Sequence, residues 1–219
     1  MSAVGESRLR PTSKADEPVD HTQENHTSMA DISAAAVKEL RERTGAGFMD
    51  CKRALEETGG DVDKAVAVLR ERGMAAAEKK RGREARDGLV GSYIHAGGRI
   101  GALIEVNCET DFVARTEQFQ KLVRDLSVQV AGLNPKYLDV VDIPQSAIDA
   151  RRAELAEDPR TRDEVEAGFK RWLKDVVLLE QPFRDTNMTV RDLIDQSIAT
   201  IGENIRVRRF ARYELGEEL

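Results

Sequence analysis

This sequence predicts an α+β chain with a small helical domain in front, on three observations. Apolar and polar residues alternate in three short runs, Leu89–His95, Ile100–Val106 and Asn204–Glu214, as in half-buried strands. Between the second and third runs apolar residues recur instead at three- and four-residue steps, most clearly at Phe119, Leu122, Val123, Leu126 and Val130, as on one face of a helix. Ahead of the first run, from Asp31 to Gly73, glycines punctuate three further helical patterns. A hairpin, a pack of helices and a returning strand make an α+β core with a three-stranded antiparallel sheet.

Residues 1–28 have almost no large apolar residue and no period, and are expected to be a disordered extension. They lack the apolar centre of a secretory signal, and Glu6, Asp16, Glu17, Asp20 and Glu24 are out of place in a transit peptide. Residues 29–73 read as a three-helix, ubiquitin-associated-like bundle near the lower size limit for independent folding. Ser33 caps its first helix, with Ile32 stapled onto Val37, and Gly45 and Gly47 stop it. The second helix runs from Phe48 to Thr58 with Cys51, Ala54 and Leu55 inward. Asp61 caps the third, whose stripe of Val62, Ala65, Val66 and Leu69 is expected to close at Gly73.

Residues 74–87 form a charged linker, dense in Lys79, Lys80, Arg81, Arg83 and Arg86, and residues 88–219 form the main domain. Gly97-Gly98 turns the hairpin. Asn134-Pro135 breaks the chain after the first core helix, and Pro144 opens the next. Thr161 to Val177 continues as a helix, Leu178 to Arg184 is irregular, and Thr189 with Asp192 begins a last helix ended by Gly202.

Hydrophobic residues make up 40% of the 219 and aromatics only 5%, so the core must be aliphatic. A net charge of −6 argues against a generic nucleic-acid binder. The basic linker has no interleaved aromatic residue for base stacking and reads as solvated. No apolar run approaches the roughly 20 residues of a membrane span. Two cysteines, Cys51 and Cys108, are too few for a disulfide framework or a zinc site and fit a reducing cytoplasm.

The most distinctive stretch is Asn107–Arg115, a strand-to-helix corner in which Thr110 can cap a turn and Phe112 stands between an acid and a valine. From the pattern alone, Phe112 either tucks under its own helix or projects with Asp111 toward a partner. Phe48 and Met49 beside Lys52 carry the same two readings, core packing or partner contact. No catalytic apparatus emerges. His21, His26 and His95 are scattered, no phosphate-cradling loop is present, and Glu109 with Asp111 forms an acid–base pair only if a pocket surrounds them. No cofactor or metal is expected.

Four ordered blocks then point to a family: Arg43–Leu55 (RTGAGFMDCKRAL), Cys108–Val113 (CETDFV), Leu178–Phe183 (LLEQPF) and Gly202–Ile205 (GENI). From Asp31 to Glu217 the chain resembles the elongation factor Ts family, with Met29 opening the similar segment. The resemblance implies a guanine nucleotide exchange factor without chemistry of its own. Its partner would be elongation factor Tu, engaged in the GDP-bound form and held in the nucleotide-free form after release of GDP and magnesium. Thr110, Asp111, Phe112 and Val113 would be the nucleotide-release motif, and Phe48, Met49, Cys51 and Lys52 a second contact. The core would grip another domain of the partner. The single lobe resembles the short form of the family, which implies a homodimer, with Asn204–Glu214 as a plausible non-covalent pairing edge. The competing reading is a ubiquitin-associated-type module that captures a nascent chain or another protein. A small hydrolase built on Glu109 and Asp111 is the third.

Overall fold

The computed structural model describes Met1 and residues 32–157, 161–184 and 186–218. Beyond Met1, the expected disordered extension lies outside the described residues. The helical bundle comes first. Helix α1 (Ala34–Thr44) starts where the Ser33 hydroxyl accepts from Ala36 N, and ends at Gly45, whose φ of 64° only glycine adopts freely. Helices α2 (Phe48–Glu57) and α3 (Val62–Glu78) follow, the latter capped by Asp61. Val37, Leu40, Cys51, Ala54, Leu55 and Ala65 form a small closed core, with Ile32, Val66 and Leu69 leaning on it.

One expectation fails here and another is incomplete. Helix α3 does not close at Gly73 but runs 17 residues to Glu78. Gly73 is buried where α3 crosses helix α8 (Val190–Ile201), and a Cβ there would lie 3.8 Å from Gln196 Cα. A Cβ at that distance would make an ordinary contact, so the crossing accepts glycine without demanding it, and Ala75 to Ala77 carry the helix on. The charged linker is largely solvated, as expected, but it is not free of the core. Lys80 Nζ donates to Ile198 O at 3.2 Å, Arg81 Nη2 meets both Asp195 oxygens at 2.9 and 3.0 Å, and Arg206 reaches Ala85 O at 3.2 Å. The cations are visible in the linker, but the acid that binds Arg81 lies 114 positions later.

The sheet is antiparallel, in the order β1 (Asp87–Ile94), β2 (Ile100–Cys108), β3 (Arg206–Glu214). Ala102, Ile104 and Val106 of β2 are buried beneath helix α5 (Glu117–Leu133), which contributes Phe119, Leu122, Val123, Leu126 and Val130. The helix lies flush on β1 because Gly91 has no side chain: a Cβ there would come within 2.3 Å of Val123 Cγ1. Strand β3 departs from the expected strict alternation. Pairing moves from Glu105↔Arg209 to Val106↔Val207, so Arg208 is an extra residue in a bulge. Val207 and Phe210 consequently both pack on the core, although an unbroken alternation would put them on opposite faces. The bulge also lets two successive arginines reach one carboxylate, Arg208 at 3.0 Å and Arg209 at 2.7 Å from Glu105.

Helices α6 (Gln145–Ala156) and α7 (Arg162–Val176) pack together, with Gly168 against Leu155. The irregular 178–183 segment is organised by Gln181, which is fully buried. Its amide donates to Leu133 O and Asp175 O at 3.3 and 3.2 Å, and its oxygen accepts from Gln129 Nε2 at 3.1 Å. Thr189 and Asp192 form the expected capping box at the start of α8, and Gly202 ends it with a φ of 91°.

Candidate partner-binding site

Strand β2 does not run straight into one helix. It passes through Glu109 and Thr110 into a one-turn helix, α4 (Asp111–Ala114), and the chain then breaks so that Thr116 can cap α5 by accepting from Phe119 N at 3.2 Å. Thr110 is the cap of α4, its hydroxyl accepting from Val113 N at 3.4 Å. Within that turn the side chains divide. Val113 packs on the main core and Ala114 is buried, whereas Phe112 is 79% exposed. Asp111 is half exposed and accepts from Arg115 Nη2 at 2.7 Å. The ring of Phe112 therefore projects from the protein and is not folded under its own helix.

The base of this turn is tied down by a residue from the far end of the chain. One oxygen of Glu203 accepts from the backbone N–H groups of Glu109 and Thr110, each at 3.0 Å, and the other accepts from the Thr110 hydroxyl at 2.6 Å. Glu109 reciprocates, accepting from Asn204 N at 2.6 Å and lying 3.6 Å from Arg83. Asn204 in turn donates its amide to Arg83 O at 2.7 Å. Glu109 and Asp111 thus serve different partners and do not converge as an acid–base pair. Beneath the turn, Cys108 is buried and its thiol donates to Thr110 O at 3.1 Å. Burial, with the nearby charge of Glu203 adding to it, pushes that thiol up to about 11, so it is a neutral packing group. Among the described residues no cluster of three or more His, Cys, Asp or Glu side chains is placed to hold a metal ion.

On the bundle, Phe48 and Met49 are 52% and 61% exposed at the start of α2, and Lys52 shares their surface, 3.7 Å from Glu56. Cys51 does not. It is fully buried in the bundle core, within 3.7 Å of Ala46 O, and stands behind this face. Three of the four residues are therefore together on the surface, and the fourth has no surface to offer a partner.

Sequence reasoning missed the clamp of Glu203 and Asn204. The Gly202–Ile205 block had singled both residues out, but nothing local showed that they bind the turn at Thr110. It also missed the outward face of the sheet, where Val90, Ile94, Leu103 and Tyr213 are exposed.

The family profile described as Elongation factor TS matches residues 22–217. A protein of Synechococcus elongatus named elongation factor Ts is 54% identical over 199 residues, covering 86% of this chain and 90% of its own length. Proteins of the same name from Carboxydothermus hydrogenoformans and Coprothermobacter proteolyticus are 51% and 52% identical, covering 86% and 85% of this chain and 91% and 100% of their own. The chain belongs to the elongation factor Ts family. Its place is in protein biosynthesis, as a translation elongation factor. Within this elongation factor Ts fold, no described helix is long and apolar enough to cross a membrane.

Proposed function

We propose that the chain is a guanine nucleotide exchange factor for elongation factor Tu, acting in the cytoplasm by binding and not by covalent chemistry. The observation that carries the reading is the exposed Phe112 beside Asp111, on a one-turn helix whose base is bound on several sides. Such a turn presents a rigid apolar wedge and a carboxylate to a visitor. Exchange requires that the factor bind the nucleotide-free partner better than the loaded one, and the antagonism is reciprocal. Phe112 would wedge between side chains of the nucleotide domain near its magnesium and phosphate site. Asp111 would place negative charge where phosphate must return. Phe48, Met49 and Lys52 would hold a second surface of the same domain.

A thousandfold faster release requires a barrier lower by roughly 4 kcal/mol. Burial of one phenylalanine supplies about 1.5–3 kcal/mol. The wedge therefore acts together with the wider interface. Release of fluorescent GDP from elongation factor Tu tests this. Asp111→Ala with Phe112→Ala should leave a folded protein whose exchange is slower by about a hundredfold, ~2.7 kcal/mol. Normal exchange by that double variant would end the assignment.

Pairing of two copies belongs to the same reading. Strand β3 is an edge of the sheet, and the sheet's outward face exposes Val90, Ile94, Leu103 and Tyr213. These features support a non-covalent homodimer through this side of the sheet. Leu103→Glu should shift the sedimentation coefficient to that of a single chain; an unchanged value would place the contact elsewhere.

A further inference from the structure

We propose that Glu203 is a positioning residue for the Asp111–Phe112 wedge; the inference rests on the exchange reading above and adds the group that aims it. The wedge has little of its own to hold it in place. Helix α4 is four residues long, too short to be stable alone, and an exposed Phe112 makes few contacts that would fix its direction. The N–H groups of Glu109 and Thr110 are the donors between the end of β2 and the start of α4. Both are taken by one carboxylate oxygen, while the other takes the Thr110 hydroxyl at 2.6 Å. Hydrogen bonds to a charged acceptor are about twice as strong as neutral ones. Three of them converging on one side chain set the direction of α4 against the α8–β3 junction.

The clamp is braced from behind. Glu109 returns the contact to Asn204 N at 2.6 Å, so the two loops are cross-linked in both directions. Asn204 holds the Arg83 carbonyl, and Arg81 is locked to Asp195 of α8. The base of the wedge is therefore continuous with the segment that joins the bundle to the core. Loss of Glu203 would leave Phe112 present and exposed but no longer aimed. The rest of the partner-facing surface would be untouched.

The test follows release of fluorescent GDP from elongation factor Tu across factor concentrations, for wild type, Phe112→Ala, Glu203→Ala, Glu203→Gln and Phe112→Ala with Glu203→Ala. Glu203→Ala should lower the maximal rate about thirtyfold. Its half-saturating concentration should stay within about threefold of wild type. Adding Phe112→Ala should cost less than about a further threefold, because an unaimed ring has little left to lose. Glu203→Gln keeps the shape and one acceptor oxygen and should recover part of the rate. Residue-resolved hydrogen exchange should show the Glu109 and Thr110 amides exchanging faster in Glu203→Ala.

A Glu203→Ala protein with a wild-type maximal rate overturns the proposal, and so does a double variant in which Phe112→Ala takes its full loss. Should Glu203→Ala fail to fold, Glu203→Gln is judged by the same two criteria. Phe112→Ala alone reports on the exchange reading. If it releases GDP like wild type, that reading fails, and the two amides still decide whether Glu203 holds the turn.

Discussion

The exposed Phe112 and the exposed Phe48–Met49 pair are built differently. Phe112 sits on a single turn of helix pinned by polar groups from Thr110, Glu203 and, through Glu109, Asn204. Phe48 and Met49 open a 10-residue helix that begins on Gly47 with no side-chain cap and is held by its buried stripe of Cys51, Ala54 and Leu55. A convergent set of charged hydrogen bonds specifies direction, whereas aliphatic packing specifies only proximity and tolerates small adjustments. The first tip is made to push along one line. The second is made to conform to what it meets.

The strongest way to break this comparison is to loosen one side alone. Leu40 is fully buried in the bundle, and Leu40→Ala should lower stability by ~3 kcal/mol in denaturant unfolding. If the two tips are held independently, the Glu109 and Thr110 amides stay protected in that variant. Their deprotection would mean that the bundle helps to hold the wedge. Next in size is Phe112→Ala, expected to slow maximal exchange about thirtyfold, or ~2 kcal/mol, with little change in half-saturation. Phe48→Ala with Met49→Ala should show the opposite split. Half-saturation should rise about tenfold with the maximal rate nearly unchanged. A fall in rate without loss of affinity would erase the distinction between the tips.

The smallest effect concerns the two thiols behind them. Burial raises both Cys51 and Cys108, the latter from an ordinary 9.0 to about 11. A folded-state value above the unfolded one contributes stability that is complete below about pH 9 and is lost as pH rises through about 11. At neutral pH neither thiol should react quickly with an alkylating reagent in the native protein. Fast labelling of Cys108 at pH 7, read by mass spectrometry, would show that the base of the wedge opens.

What could be read from the sequence was local. Ser33, Asp61 and the Thr189–Asp192 box cap their helices as short-range chemistry requires, and Gly45 and Gly202 end theirs. The α5 stripe was plain for the same reason, since its residues are one helical turn apart. What could not be read depends mostly on residues far away in the chain. Gly73 looks like a stop although the helix runs on past it to Glu78, and Arg81 looks unpartnered until Asp195 arrives. The bulge at Arg208 follows from pairing with β2, which no period within β3 announces. For the site, spacing alone left both readings of Phe112 open, because exposure is a property of the whole fold, and only the resemblance chose between them. Cys51 shows the converse: it shares a block with Phe48 and Met49, yet the 3.6-residue turn of α2 carries it inward.

Helix α3 contributes Ala65 to the bundle core and Ala77 to the main core without interruption. The azimuth of the bundle about the rest of the molecule is thus counted in residues. One residue inserted between Leu69 and Gly73 would swing everything upstream by about 100°, while four would nearly restore the phase but carry it about 6 Å outward. Neither change need disturb the interior of either part. The gauge between the two tips is set by a length of helix.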